Sequence, residues 1–431
     1  MATKRNKLRN KTRRGKKVLR RNKRTMLRKK NRRMTKKYQR GGAVEIDDAY
    51  ENVLLIIDPQ NDFSDQNSAV SRNENGSLFV PGSTQDYAKI IDFIKQNNAK
   101  LAEIHVSLDT HTDRHIGHPG FWSRVNEDGS NPVNCNKEDE GLNILEKTEK
   151  DNVYKGVISG NFYTPRKYGD DDAEYQRLLA YVKDYIQFYY STESKHELLP
   201  WIWKEHCIEG SPGHMVAQEL KDLLDNSENK HKLNGEQDFV DKVSYHIKGQ
   251  NNLAEMYSIF SAEMPVVVEG LDSYMNTSKY KDKHKEKNRV NFYPKDEGVR
   301  FYKDLDCTTS DSKNDCGYLN LETQLNKEFM NKLLGIGTSK PRRVFICGEA
   351  KTHCVKSSLI DLMDYAIKQN EQNTNQQITK EQIVLLANMT SPITASGVKD
   401  DIEKLTEVKG FTVMNPRGNF IYTDEGRIPI A

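Results

Sequence analysis

The sequence predicts an α/β protein: a doubly wound, mostly parallel sheet with helices on both faces. Short, mostly apolar runs at Val53–Ile57, Glu103–Leu108, Val344–Cys347 and Ile383–Ala387 alternate with longer stretches of helical periodicity. Strands separated by helices pair in parallel, because the crossover returns to the same sheet edge. Several runs are apolar at every position rather than at alternate ones, which fits strands covered on both faces. The ends of these runs carry acids, histidines and a cysteine, and open α/β sheets keep their chemistry outside the carboxyl ends of their strands.

Residues 1–42 hold 21 Lys and Arg and no acid, with almost nothing apolar to bury. Like-charge repulsion predicts a disordered basic arm, with Gly41-Gly42 as its hinge. Subtracting 21 from 66 bases leaves 45 against 62 acids, so residues 43–431, the predicted folded domain, carry about −17. The arm, over residues 4–40, suits non-specific contact with nucleic-acid phosphates, a nuclear or nucleolar address, or a solvated tail. Six cysteines without Cys-x-x-Cys spacing point to a reducing intracellular compartment, cytoplasmic in the first instance. No apolar run reaches membrane-spanning length, so no membrane partner is expected. A homo-oligomer is compatible with the sequence.

The first strand ends in Asp58-Pro-Gln-Asn-Asp-Phe63. Ser83 or Thr84 can cap a helix to about Asn98, with Ile90, Ile91 and Ile94 on one face. The second strand delivers Asp109-Thr-His111, followed by His115 and His118. Carboxylate and imidazole packed this closely suit a divalent metal, with Zn first and Fe or Mn as alternatives. Residues 123–197 read as a polar insertion with a helix from Ala173 to Tyr190. The segment Trp201-Ile-Trp203-Lys-Glu-His206 then supplies flat apolar walls and, in His206, a third ligand for the Asp109/His111 site.

A helix is expected from Met215 to Leu224 and a strand over Phe239–Val243, with Lys248 after it. Residues 270–325 read as a second surface insertion. A helix from Asn326 to Leu334 leads to the Val344 run, and Gly348-Glu-Ala-Lys-Thr-His-Cys354 places Cys354 at a helix start, where the dipole favours a thiolate. Residues 369–380 read as a polar linker. A helix over Lys399–Glu407 and a strand over Phe411–Val413 complete the sheet.

Strand ends in a parallel sheet lie on one side, which gathers Asp58, Lys248 and Cys354. Asp58 can take the thiol proton, Lys248 can favour both anions, and Cys354 can attack a carbonyl to give a thioester that water cleaves. Amides are poor acyl donors, so backbone N–H groups at the cysteine turn must hold the oxyanion; one such donor is worth ~10²–10³ in rate.

Five motifs, in order, carry a family resemblance: Asp58-Pro-Gln-Asn-Asp-Phe63; Asp109-x-His111 with His115; Trp203-x-x-His206-Cys-x-x-Gly-x-x-Gly213; Lys248-Gly249 with Tyr257-x-x-Phe260; and Gly348-x-Ala350-x-x-x-Cys354-Val355. The chain resembles the isochorismatase-like cysteine hydrolases of Rossmann-like three-layer fold, and within them the nicotinamidase (pyrazinamidase) type. The resemblance implies a catalytic triad of Asp58, Lys248 and Cys354. It implies metal ligands Asp109, His111 and His206, with His115 as an occasional fourth. It places an oxyanion hole at the N–H groups of Ala350 and Cys354, a cis bond before Ala350, and ring walls at Phe63, Trp203 and Tyr257. The implied reaction is nicotinamide to nicotinate and ammonia, in pyridine-nucleotide salvage. The alternatives are another amide or ureido substrate, or a scaffold whose arm binds nucleic acid.

Overall fold

Seven residues, Glu51–Ile57, form the central strand β1, every residue from Asn52 onward buried. The structure, a computed structural model, describes residue 46 and residues 49–429 apart from 66–75, 137–142, 171, 192–193, 195, 197, 226–241, 265–322, 324, 373–376, 394–399, 415–419 and 424–425. The basic arm and almost all of the 270–325 stretch lie outside the described residues.

After β1 come α1 (Ser83–Asn97), β2 (Leu101–Asp109), β3 (Trp122–Val125), β4 (Val133–Asn134), β5 (Asn143–Lys147), β6 (Tyr154–Gly156), β7 (Phe162–Pro165), α2 (Asp172–Tyr189), β8 (Trp201–Ile202) and α3 (Gln218–Asp225). The chain continues through β9 (Val243–Lys248), α4 (Lys327–Leu334), β10 (Arg342–Gly348), α5 (Cys354–Gln372), β11 (Ile383–Leu386), α6 (Ile402–Val408) and β12 (Thr412–Met414). It closes with an antiparallel pair, β13 (Phe420–Thr423) and β14 (Gly426–Pro429).

The main sheet runs β12-β11-β10-β1-β2-β9, and all its pairings are parallel. Chain order reverses between β1 and β10, so the crevice outside their carboxyl ends is a topological switch point. Alternate residues of β1 serve two cores. Val53, Leu55 and Ile57 join α4, α5, α2 and the second sheet, while Leu54 and Ile56 join Tyr87, Ile90, Phe93 and Ile94 of α1 and Leu220, Leu223 and Leu224 of α3. Each fully buried Leu or Ile there contributes roughly 1.5–3 kcal/mol, which is why the continuous apolar runs read as strands.

Several expected boundaries are corrected. Neither Ser83 nor Thr84 caps α1. Gly82 is its N-cap, in left-handed conformation, and the Asp65 carboxylate accepts from the N–H groups of Gly82 (2.7 Å) and Thr84 (3.0 Å). Of the strand expected at Phe239–Val243, residues 239–241 lie outside the described residues; the described strand is β9, Val243–Lys248, whose pairing with β2 runs from Ile104↔Val243 to Asp109↔Lys248. Its polar Ser244 and His246 masked the strand in the sequence. The expected 369–380 linker begins as helix, since α5 runs through Gln372. Helix α3 starts at Gln218 instead of Met215, and α6 and β12 lie one residue or more later than expected.

The largest correction concerns residues 123–197. With Trp122 and β8 at either end, they form a second, antiparallel sheet, β4-β3-β7-β6-β5-β8, with α2 beside it. Leu145, Tyr154, Tyr163, Leu178, Val182, Tyr185 and Ile186 are buried in the same core as β1 and α5. Strands of two to five residues are too short to display a period, so only the helix was legible.

Candidate active site

The carboxyl ends of four adjacent strands, β10, β1, β2 and β9, bring the chemistry together. Lys248, the last residue of β9, has no solvent exposure. Its Nζ lies 3.0 Å from Asp58 Oδ2, 2.9 Å from Asp109 Oδ1, 2.9 Å from the Met256 carbonyl and 3.7 Å from Cys354 Sγ. Burial opposes its charge, yet Asp109 and Asp58, and then Cys354, raise its pKa well above the usual lysine value, so it is an ammonium.

Asp58 sits just past β1 with φ 43°, an unusual conformation for a residue with a side chain. Ser107 fixes it twice: its hydroxyl donates to Oδ1 at 2.6 Å and accepts from the Asp58 N–H at 3.0 Å. Burial raises the Asp58 carboxyl despite the nearby ammonium. Cys354 is the first residue of α5, as expected, and is 6% exposed. The expected thiolate is not its resting form. Burial pushes the thiol well above its ordinary pKa; Lys248 opposes this, and Asp58 and Asp109 add to it. A thiol held neutral beside a raised carboxylate has its base in place.

The turn into α5 is built around Gly348, φ 106°, where a Cβ would lie 2.1 Å from the Ile57 carbonyl oxygen. The Glu349–Ala350 bond is cis. The Ala350 carbonyl accepts from the N–H groups of His353 (3.0 Å) and Val355 (3.2 Å), and Lys351 N–H bonds the Ser391 carbonyl (2.8 Å).

Asp109 Oδ2 faces two imidazoles: His111 Nε2 at 2.9 Å and His206 Nε2 at 3.5 Å. His111 Nδ1 lies 2.9 Å from the Gly249 carbonyl and His206 Nδ1 2.7 Å from the Lys204 carbonyl. A carbonyl only accepts, so both Nδ1 atoms carry a proton and both Nε2 atoms are turned toward Asp109, the orientation in which metal-ligating histidines present Nε2. Burial opposes a charge on His111, but Asp109 raises its pKa. Glycine at 249 (φ 77°) is required, since a Cβ would sit 2.8 Å from His111 Cε1 and 2.9 Å from Asp109 Oδ1. The donor set therefore fits a divalent cation. Among the described residues, the groups whose ligand atoms lie within 4.8 Å of one another are His111, His118 and His206, and His111, His115 and Glu255; neither includes the expected Asp109. His115 stacks near His111 at 4.0 Å between ring centroids, its nitrogens engaged with the Ala254 carbonyl (3.0 Å) and the Gly117 N–H (3.1 Å).

Of the expected ring walls, Phe63 lies against His206, while Trp203 and Tyr257 lie against each other and against His353. Phe63 lies 5.5 Å from the His206 ring, and Trp203 Nε1 donates to Tyr257 Oη at 3.0 Å. Trp201 stacks behind Trp203 at 4.7 Å, so only one of the pair serves as a wall.

Sequence reasoning left several residues without a role. Gln60 accepts from Asp109 N–H and donates to its carbonyl, both at 2.7 Å, which locks the end of β2 to the end of β1. Asp62 Oδ2 accepts from Cys207 N–H at 2.7 Å, which seats the His206 segment. His118 Nε2 lies 3.2 Å from His206 Nδ1 and orients that ring. Buried polar residues inside an otherwise apolar motif were the signal.

The chain is similar to nicotinamidases and pyrazinamidases of known structure. The yeast nicotinamidase bound to the inhibitor nicotinaldehyde matches with a TM-score of 0.39 and 15% identity, over 84% of this chain and 99% of that one. A pyrazinamidase of Pyrococcus horikoshii in complex with zinc matches at 0.34 and 14%, over 84% and 98%. A protein of L. infantum in complex with nicotinate matches at 0.37 and 14%, over 86% and 96%. No family model and no curated protein matches the sequence. At such identities and scores the likeness carries no argument about function, which rests on the residues of this chain. Among the described residues no helix is long and apolar enough to cross a membrane.

Proposed function

We propose that the chain is an isochorismatase-like, metal-containing cysteine amidohydrolase that converts nicotinamide and water to nicotinate and ammonia. The observation that carries this reading is the buried Lys248 ammonium, within 3.0 Å of Asp58, 2.9 Å of Asp109 and 3.7 Å of Cys354 Sγ. One cation thereby links Asp58, Cys354 and the carboxylate that faces His111 and His206.

Asp58 takes the Cys354 proton, and the sulfur attacks the amide carbon. The Ala350 and Cys354 N–H groups hold the resulting oxyanion. Collapse breaks the C–N bond, and Asp58 returns the proton to the departing nitrogen, which leaves as ammonia. Asp58 then deprotonates water, which cleaves the thioester and restores the thiol. Lys248 keeps Asp58 anionic and offsets the thiolate charge. Asp109, His111 and His206 would hold the cation, Zn first, whose chemistry here is to bind and orient a heteroaromatic nitrogen. Phe63, Trp203 and Tyr257 would flank the flat ring.

Purified full-length protein is to be scored for ammonia release from nicotinamide, pyrazinamide and a small panel of other amides, beside Cys354→Ala and His206→Ala. Release from nicotinamide that Cys354→Ala abolishes and His206→Ala lowers by ~10–100-fold supports the reading. Activity only on another amide would replace the substrate while leaving the mechanism.

The 21 bases and no acids of residues 1–42 support a second activity, salt-sensitive contact with nucleic-acid phosphates. A chain starting at Ala43 that still retains nucleic acid would remove the arm as the binder.

A further inference from the structure

A second buried charge cluster lies outside the catalytic group. His196 is fully buried between two carboxylates. Its Nδ1 lies 2.6 and 2.8 Å from the two oxygens of Glu263, and its Nε2 lies 3.1 Å from Asp361 Oδ1. Ser261 donates to the other Asp361 oxygen at 2.9 Å. Ionised carboxylates only accept, so both ring nitrogens carry protons and the ring is an imidazolium.

The three residues belong to three different parts of the molecule. His196 comes from the 123–197 stretch, Asp361 from α5 two turns beyond Cys354, and Glu263 from the loop that follows β9. That loop is part of the site: its Met256 carbonyl accepts from Lys248 at 2.9 Å, and its Tyr257 hydroxyl accepts from Trp203. The 123–197 stretch also grips it upstream, where Tyr181 Oη donates to the Leu253 carbonyl at 2.7 Å. Helix α5 grips it between, where the Ser358 hydroxyl accepts from Ile259 N–H at 3.1 Å.

We propose that His196 is a positioning residue of the active site: clamped between Glu263 and Asp361, it fixes the 251–263 loop, and with it the Met256 carbonyl and the Tyr257 wall, against the helix that begins at Cys354. The part of this statement that concerns catalysis rests on the amidohydrolase reading; the clamp itself does not. The ring's pKa agrees. Burial opposes the charge, but Glu263 and Asp361 push it up to about 9. The titratable groups around it are those two carboxylates, with the Tyr185, Tyr189 and Tyr257 phenols near Glu263, all held well above the usual tyrosine value by burial. The clamp therefore holds at neutral pH and opens as pH rises through about 9.

The test compares full-length wild type with His196→Gln, which keeps size and one hydrogen bond but not the charge, and with Asp361→Asn. Amide hydrogen exchange of peptides covering 251–263 is measured from pH 6 to 10 and corrected for intrinsic rates, beside peptides of β1 and β10. Wild type is expected to lose about tenfold protection in the loop as pH passes 9, and both variants to have lost it already at pH 7, with the strands unchanged. If nicotinamide is a substrate, kcat/KM of each variant falls about tenfold at pH 7 and the wild-type advantage closes above pH 9. Unchanged loop protection, or a uniform fall that includes β1 and β10, would overturn the proposal. Loop-specific loss in a protein inert on nicotinamide would sustain the clamp and sink only the substrate.

Discussion

Lys248 and His196 are two buried cations, each held between two carboxylates, and they differ in what lies beside them. Around Lys248 the fourth neighbour is a thiol, 3.7 Å away. Beside His196 the Ser261 hydroxyl donates to the second Asp361 oxygen, and among the described residues no thiol pairs with the ring. A buried ion pair is weak evidence for stability, because desolvation cancels much of its attraction. What these two clusters add is registry. The first holds reacting groups at the switch point of a parallel sheet, and the second ties the antiparallel sheet and the loop after β9 to that point. Only the second loses its proton in the mildly alkaline range, near pH 9, since a lysine raised above its usual value stays charged there.

Substitutions at the two clusters should separate them. Cys354→Ala is expected to lower amidase kcat by ~10⁴ or more with stability little changed, checked by ammonia release and thermal melting. Lys248→Met should remove activity and also cost about 3–5 kcal/mol in urea unfolding, since it leaves Asp58 and Asp109 buried face to face. A Lys248→Met protein as stable as wild type would mean the cluster is wetter than described here. Removal of the cation by a strong chelator, or His206→Ala, should cost ~10–100-fold in activity and lower the metal content found by elemental analysis. Neither should change hydrogen exchange at the 251–263 loop's His196 end.

The smallest effect is a linkage one. His196 has a folded pKa of about 9, above the 6.5 of an ordinary histidine. Its contribution to stability is thus fully present below about pH 6.5 and is lost as pH rises through about 9. The gap in urea midpoint between wild type and His196→Gln should be widest near pH 6 and closed by about pH 10. A gap that does not move with pH would assign His196 to packing alone.

The parallel sheet was legible because its strands are buried on both faces and therefore apolar without interruption. Asp58 and Asp109 were legible for a related reason, since each directly follows an expected strand, and Cys354 because it opens the helix that follows the Val344 run. Lys248 was found in spite of a misplaced strand, since β9 is an edge strand whose polar Ser244 and His246 hide its register. The second sheet was not legible, because strands as short as Val133–Asn134 and Trp201–Ile202 carry no period. His196 was invisible for a different reason. Its partners are 67 and 165 residues away, and no local spacing records a contact that only the folded core creates. The direction of the Cys354 pKa was misjudged because a helix start is local, whereas the burial that outweighs it is tertiary.

The central claim is that Cys354 Sγ forms the acyl bond. Wild-type protein mixed with nicotinamide, quenched in acid within its first turnovers and digested, should carry one nicotinoyl group on the peptide containing Cys354, and none in Asp58→Asn. Steady ammonia release with no adduct on that peptide, and with activity retained in Cys354→Ala, would contradict the account.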